Sequence, residues 1–221
     1  MSEYDTEPVR GLPQLPPDDE RVLWQGSPHG PSVTRRTFYG GLIAAYFALL
    51  AASVVASALM NGATAGDAIL GSLHYVVFGA AALALVGLIG WFVQKTTVYT
   101  ITNRRIAMRI GIALPITLNI PFSKIAAADV KLHDNGSGDI SLLPAEDMPL
   151  TYFHLWPHVR GLKLKQPEPV LRCVPDARNV SELLVNAMLS AGVKGHIRAP
   201  VIGVPAQTAM NAPAGGMSAT A

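Results

Sequence analysis

Two long apolar segments dominate the first half of the chain. They run from Phe38 to Met60, 23 residues, and from Ile69 to Val93, 25 residues, and neither contains Asp, Glu, Lys or Arg. About 20 helical residues cross the hydrocarbon core of a bilayer while satisfying their own backbone hydrogen bonds. Neither segment has the polar stripe of a helix that faces water. The pattern therefore predicts a transmembrane helical hairpin over residues 38–93.

Basic residues flank this hairpin on one side only. The connector at 61–68 contains no Lys or Arg, whereas Arg35 and Arg36 precede the first predicted helix and Lys95 follows the second. Three more arginines, Arg104, Arg105 and Arg109, follow within 16 residues of Val93. The positive-inside rule then places both termini in the cytoplasm.

Small residues are frequent on both predicted helices and permit close helix contact. They are Gly40, Gly41, Ala44 and Ala48 in the first helix and Gly79, Ala80, Gly87 and Gly90 in the second. The sequence favours packing of the hairpin against itself over docking of another protein's helix. His74, inside the second helix, is a candidate pigment ligand because intramembrane histidines are often functional. Near the helix end, it also fits a residue that reaches water.

The periodicity changes to two after Thr96. "VYTITNRRIAMRIGI", residues 98–112, reads as two alternating strands joined by a turn, and turn signals then recur about every ten residues. The segments at 161–165 and 169–174 read as two further short strands. Residues 176–192 read as a helix with a capping box at Asn179 and Glu182, ended by Gly192. Its predicted apolar face consists of Val180, Leu183, Leu184, Ala187 and Met188. The pattern predicts an antiparallel sandwich or roll over 94–192, closed at one end by this helix.

Six residues are candidates for contact with the membrane surface. Trp24 lies before the hairpin and fits an interfacial anchor. The arginines at 35, 36, 104, 105 and 109 fit contacts with anionic headgroups. For Arg104, Arg105 and Arg109, a solvated strand face explains the pattern equally well.

Composition supports a membrane protein and excludes other classes. Only 14% of residues are charged, against about 25% in soluble chains, and the net charge of +2 gives no nucleic-acid footprint. Cys173 is the single cysteine and fits a small buried hydrophobe. Residues 1–37 are read as an N-terminal tail and pre-membrane segment without a cleavable signal, and 193–221 as a disordered tail.

No motif for catalysis, cofactors or metals is recognised in the sequence. His154 and His158 are four residues apart, but Pro157 lies between them in an extended pattern, so they do not form a helical zinc pair. The segment "FHLWPHVR" instead offers Phe153, Trp156, His158 and Arg160 as a candidate partner-binding patch. Ordinary core and rim packing of a strand end is the competing interpretation.

Several strings resemble a known family. "DDERVLWQGSP" at 18–28, "YTITNRRIAMRIGI" and "PFSKI" are similar to bacterial membrane proteins with a pleckstrin-homology-like (PH-like) domain. "RRIAMRIGIALPITLNIPFSKI" and "FHLWPHVRGLKLKQPEPVLRCVPDA" resemble the photosynthetic complex assembly protein family (PuhB) of purple bacteria. The resemblance spans Arg10 to Ala191. Gly161 departs from it, standing where the family pattern leads us to expect a proline and an aromatic residue.

The resemblance implies a membrane α + β protein: a two-helix transmembrane hairpin followed by a cytoplasmic PH-like antiparallel β roll capped by a C-terminal helix. It implies a non-enzymatic, cofactor-free factor of the inner, intracytoplasmic photosynthetic membrane that assists assembly of the reaction centre and core light-harvesting complex. Expected partners are the membrane subunits of that complex, other assembly factors and the bilayer; a homodimer stays open. The alternatives are a lipid- or protein-binding membrane anchor unrelated to photosynthesis and a pigment-handling protein.

Overall fold

The computed structural model describes residues 11–12, 14–112, 114–145, 151–161, 167–192 and 196–198. Residues 162–165 of the predicted strand at 161–165, residues 1–10 and 13 of the predicted N-terminal segment, and most of the predicted C-terminal tail lie outside these residues. In chain order the elements are β1 (Val22–Gly26), α1 (Gly30–Ser32), a π-helical turn (Val33–Thr37), α2 (Gly40–Met60), α3 (Ala65–Thr96), β2 (Val98–Thr102), β3 (Arg105–Ile110), β4 (Ile116–Pro121), a 3-10 turn (Phe122–Lys124), β5 (Ile125–Leu132), β6 (Gly138–Pro144), α4 (Tyr152–Leu155), β7 (Val170–Val174), α5 (Ala177–Ser190) and β8 (His196–Arg198).

The two apolar segments form an α-helical hairpin, and both helices are long and apolar enough to cross a membrane. Gly62 turns the chain between them with φ +81°, and Thr64 caps α3 by accepting the Asp67 N–H. With 32 residues, α3 is about 48 Å long, which exceeds the roughly 30 Å of hydrocarbon in a bilayer. The helix is therefore longer than a single membrane span requires, and its C-terminal end leads directly into β2.

The first sheet has the order β1-β2-β3-β4, with every neighbouring pair antiparallel. The sequence analysis assigned 1–37 to a tail and pre-membrane segment, but β1 pairs Trp24 with Ile101 of β2. The helical hairpin is thus inserted between two neighbouring strands of the domain. Because a hairpin returns the chain to its starting point, the flanking strands can pair antiparallel.

The second sheet has the order β7-β6-β5-β8. Its first three strands are antiparallel neighbours, whereas β8 pairs parallel with β5. β8 comes from the segment 193–221 that was expected to be disordered, so three residues of that segment belong to the sheet. The sheet is therefore mixed, which departs from the all-antiparallel expectation.

The core of the domain lies between the two sheets and α5. Tyr99, Ile106, Met108, Ile140 and Leu171 are fully buried in one cluster that joins strands of both sheets. Large side chains of this kind contribute about 1.5–3 kcal/mol each on burial, so they account for much of the stability of the domain.

Helix α5 closes the domain with the apolar face expected from the sequence, since Val180, Leu184 and Met188 are buried. The predicted capping box is not its start. The helix begins at Ala177 after Asp176, and the Asn179 side-chain amide donates a 2.6 Å hydrogen bond to the Asp176 carboxylate inside the first turn.

Candidate functional site

A buried polar network lies where α3 enters the domain. The Tyr99 hydroxyl accepts the Arg172 backbone N–H at 3.0 Å and lies 2.7 Å from His158 Nδ1. The direction of this hydrogen bond depends on which imidazole nitrogen carries the proton. The other nitrogen, Nε2, lies 3.2 Å from Thr97 Oγ1 and forms a second hydrogen bond. Every polar atom of the imidazole is therefore satisfied.

Burial fixes the charge state of this network. Desolvation, followed by the nearby charge of Arg172, lowers the pKa of His158 to about 3. Desolvation also raises the pKa of Tyr99 well above its usual value of 10.0. The sequence predicted His158 in a partner-binding patch, but the residue is only 1% exposed and is not part of an open binding surface. Its role is to hold the "FHLWPHVR" segment against β2.

Arg172 extends the network into the second sheet. Its Nη1 donates to Asp139 Oδ2 at 3.1 Å, and its Nη2 donates to the Val159 carbonyl at 2.7 Å. Asp139 Oδ1 accepts the Cys173 backbone N–H at 2.8 Å. These contacts join β6, β7 and the "FHLWPHVR" segment into one rigid support.

An apolar cleft of 420 Å³ opens beside this support. Its walls come from the end of α3, the β3–β4 loop and the "FHLWPHVR" segment, with Val93, Thr96, Leu114, Phe153 and Trp156 among its lining residues. Phe153 in α4 is 81% exposed and Leu114 in the β3–β4 loop is 79% exposed, so two large apolar side chains of the cleft lining are open. Trp156 is anchored by its ring contact with Phe38, at 5.7 Å between centroids.

Arg160, the remaining residue of the predicted partner patch, lies apart from the cleft lining. Its side chain is half exposed and forms ion pairs with Asp129 and, at 3.7 Å, with Glu168. The structure therefore places Phe153 and Trp156 in the cleft, His158 at its buried base and Arg160 on a neighbouring surface.

The arginines of the first β-hairpin are held by acidic residues of the N-terminal segment. Arg104 pairs with Asp19, and Arg105 Nε donates to the buried Glu20 carboxylate at 2.7 Å. Arg109 is only 7% exposed. The guanidinium groups of Arg104 and Arg105 thus help to attach the chain before β1 to the sheet, a role that the sequence did not indicate.

The other candidates for membrane-surface contact are distributed between the domain and the hairpin base. Trp24 packs partly buried against the domain core. Arg36 forms a 3.4 Å ion pair with Asp134, whereas Arg35 is exposed. Only Arg35 among these three presents a largely open side chain at the base of the hairpin.

A second groove, of 540 Å³, runs along the base of the hairpin. Arg35, Gly41, Leu83, Gly87 and Trp91 are among its lining residues. A Cβ atom on Gly41 or Gly87 would meet no atom within 4 Å, whereas one on Gly79 would lie 2.8 Å from Phe47. Gly79 therefore packs the hairpin, whereas Gly41 and Gly87 leave an open face.

The candidate pigment ligand His74 is exposed on α3, with its ring centroid 4.1 Å from that of Tyr75. Sequence reasoning missed Leu114, Tyr99 and Arg172. Leu114 follows a glycine in "IGIALP", and an apolar residue in a predicted turn was the available signal. Tyr99 and Arg172 gave no such signal, because each sits within an ordinary strand pattern.

The fold defines a class of protein: a two-sheet PH-like domain interrupted by a helical hairpin of membrane-spanning length. Residues 41–188 match the model of the bacterial PH domain family. The chain belongs to this family.

A curated relative from Rhodobacter capsulatus, described as an uncharacterized 23.7 kDa protein in the puhA 5' region, is 31% identical over 186 residues. The match covers 84% of this chain and 87% of the relative. The resemblance drawn from the sequence is confirmed by these two matches, which are consistent with a PuhB-like protein.

A solved structure, a DUF1696 family protein with a pleckstrin-homology domain from Shewanella loihica, is 13% identical. It covers 42% of this chain and 71% of its own, with a TM-score of 0.27. At this score the likeness adds nothing to the fold described above.

Proposed function

We propose that this protein is a non-enzymatic assembly factor for the photosynthetic reaction centre and its core light-harvesting complex. It binds membrane subunits transiently and shields their exposed surfaces until the final neighbours arrive. The observation that carries the proposal is the similarity to a protein from the photosynthesis gene region, found in a chain that combines a PH-like domain with an uncovered apolar hairpin.

The proposed topology is a hairpin in the bacterial inner, intracytoplasmic membrane with the domain and both termini in the cytoplasm. The distribution of basic residues on either side of the hairpin supports it. Asn61 in the connector then faces the periplasm, and Asp134, whose side chain is fully exposed, faces the cytoplasm. A membrane-impermeant thiol reagent applied to intact cells should label Asn61→Cys and leave Asp134→Cys unlabelled. The reverse result would contradict this topology. Buried Cys173 gives little background.

The groove with Gly41 and Gly87 is the proposed contact for a client transmembrane helix. Helices associate in membranes through close packing at small residues, and these two glycines leave open space at the position of a side chain. The adjoining cleft at Phe153 and Leu114 would bind an apolar segment of the same client near the membrane surface. Both surfaces are largely apolar, which fits binding rather than catalysis.

The lipid-anchor alternative receives less support from the contacts. Headgroup binding through the first β-hairpin would require Arg104 and Arg105 to leave Asp19 and Glu20. Replacing both arginines with glutamine should therefore loosen the N-terminal segment and leave the level of photosynthetic complexes largely unchanged.

The deciding experiment is a near-infrared absorption spectrum of membranes from a strain that lacks the gene, complemented with variants. Gly87→Leu fills the open groove, and Gly71→Leu is its matched control on α3, because a Cβ there also meets nothing within 4 Å. We expect the reaction-centre and core-antenna bands to fall without the gene and with Gly87→Leu, and to be normal with Gly71→Leu. Unchanged bands in the strain lacking the gene would refute the assembly function. Equal bands for Gly87→Leu and Gly71→Leu would refute the proposal that the groove binds a client helix.

A further inference from the structure

Three potential metal ligands meet at one end of the second sheet. Asp139 lies in β6, Cys173 lies in the neighbouring strand β7, and His133 directly follows β5 on the other side of β6. One donor atom from each side chain lies within 4.8 Å of the others. The sequence analysis predicted no metal site, since these residues are distant in sequence and follow no ligand spacing.

The His133 ring makes this cluster different from a satisfied polar core. Its side chain is 4% exposed, and Nε2 is the one buried side-chain nitrogen or oxygen without a hydrogen-bond partner among the residues that the structure describes. Nε2 faces Asp139 Oδ1 at 3.4 Å without hydrogen-bond geometry. A buried polar atom left in this state costs about 1–3 kcal/mol, which a ligand at this position would recover.

A β-bulge brings the cysteine to the other two residues. Gly138 pairs with Val174 and Ile140 with Leu171, so Arg172 and Cys173 both lie opposite Asp139. Cys173 has φ +47°, a left-handed backbone conformation that is rare for residues other than glycine. The extra residue redirects the strand locally, as bulges beside functional sites do.

We infer that His133, Asp139 and Cys173 form a binding site for a divalent transition metal, with Zn²⁺ as the best fit. Zinc combines nitrogen, sulfur and carboxylate donors. In a zinc tetrahedron the nitrogen and oxygen ligands are about 3.4 Å apart, the separation already present between His133 and Asp139. The thiol proton leaves on binding, and the thiolate and carboxylate together neutralise the metal charge.

The surroundings fit such a site. Arg172 donates to the second oxygen of Asp139 and orients the carboxylate, as outer-shell groups do at metal sites. The π-helical turn packs against the cysteine, since Val33 and Cys173 are buried in the same cluster. The His29 N–H donates to the Cys173 carbonyl at 3.0 Å, so the metal would fasten the sheet to the segment that leads into the hairpin.

The test is metal binding by the full-length protein in detergent, without an affinity tag and after treatment with a chelator. Cobalt(II) is the probe because a coordinated thiolate adds a charge-transfer band in the near ultraviolet. Cys173 is the only cysteine, so that band reports this site alone. We expect one cobalt ion per chain, with the thiolate band and the intense visible bands of tetrahedral cobalt, and displacement by Zn²⁺.

His133→Gln should weaken cobalt binding about tenfold or more, a loss typical of perturbed metal sites. His154→Gln, at an exposed histidine, is the matched control and should bind as the unaltered chain does. Cys173→Ser should abolish the thiolate band, and where that variant fails to fold, the histidine pair decides. Absence of the thiolate band from the folded, unaltered protein would overturn the site, as would equal cobalt affinity in the two histidine variants.

Discussion

Two buried histidines of the same domain have opposite surroundings. Both nitrogens of His158 are engaged, by Tyr99 and Thr97, whereas His133 Nε2 has no hydrogen-bond partner. His158 sits inside a completed network at the base of the cleft, and His133 sits at the margin of the second sheet. Burial alone therefore does not define the role of a histidine. The complete hydrogen bonding of His158 fits a structural role, whereas the unsatisfied Nε2 of His133 fits a role in binding a ligand.

Replacing each of the two histidines with leucine should produce the largest difference in the free energy of unfolding between the two sites. His158→Leu removes the partners of the buried Tyr99 and Thr97 hydroxyls and should lower the free energy of unfolding by about 3 kcal/mol. His133→Leu removes an unsatisfied atom and should change the metal-free protein by less than about 1 kcal/mol. Denaturant unfolding of the detergent-solubilised chain, followed by tryptophan fluorescence, measures both. Equal losses of unfolding free energy in the two variants would show that the two histidines do not differ in their contribution to stability.

The stability of the domain should fall at low pH, because protonation of His158 would place a charge inside the buried network. The His158 pKa of about 3 in the folded state lies below the ordinary 6.5, so the unfolded chain binds the proton more readily. Stability is therefore complete above the unfolded pKa and falls as the pH drops from 6.5 towards 3. Between pH 6 and pH 4 we expect His158 to account for a loss of about 2 kcal/mol.

His158→Gln is the control for this acid effect, since its amide can hydrogen-bond but does not titrate. The variant should lose less stability than the parent chain over the same interval. Burial also lowers the pKa of His133, and this lowers the stability in acid equally in the parent chain and in His158→Gln. The difference in stability between the two proteins therefore reports His158. Identical acid profiles for parent and variant would show that His158 does not stay neutral in the fold.

Removing the Tyr99 hydroxyl should have a smaller effect than removing the imidazole. Tyr99→Phe keeps the buried ring but leaves the Arg172 N–H and His158 Nδ1 without their partner. We expect a loss of about 1.5 kcal/mol by the same unfolding measurement. In the His158→Leu background the substitution should cost less, because one of the two hydrogen bonds is already absent. Additive losses would show that the two residues act independently.

Local patterns in the sequence predicted the helical hairpin, the strands β2, β3 and β7 and the apolar face of α5, because each depends on residues close in the chain. They did not predict that β1 joins the domain. Its partner β2 lies beyond the whole hairpin, and no periodicity reports a pairing across that distance. The cap of α5 was assigned to Asn179 instead of Asp176, because both are good cap residues by type and the sequence pattern favoured Asn179.

The sequence predicted the candidate sites less well than the fold. Phe153 and Trp156 were found through their residue types, but the burial of His158 depends on Tyr99, which belongs to another strand. The cluster of His133, Asp139 and Cys173 depends on strand order and on the bulge opposite Asp139. One residue of register decides whether Cys173 meets Asp139, and no short-range pattern reveals it.

The ion pair between Arg160 and Asp129 at the surface should contribute less to the free energy of unfolding than the buried hydrogen bonds of His158. Arg160 is half exposed and pairs with Asp129, so solvent and salt screen the attraction. Arg160→Gln should lower the free energy of unfolding by about 0.5 kcal/mol, and the loss should shrink at high salt. The loss from His158→Leu should be insensitive to salt, because it comes from unsatisfied buried hydroxyls. A salt-independent loss of several kcal/mol for Arg160→Gln would instead place Arg160 in the buried support, through its contact with Glu168.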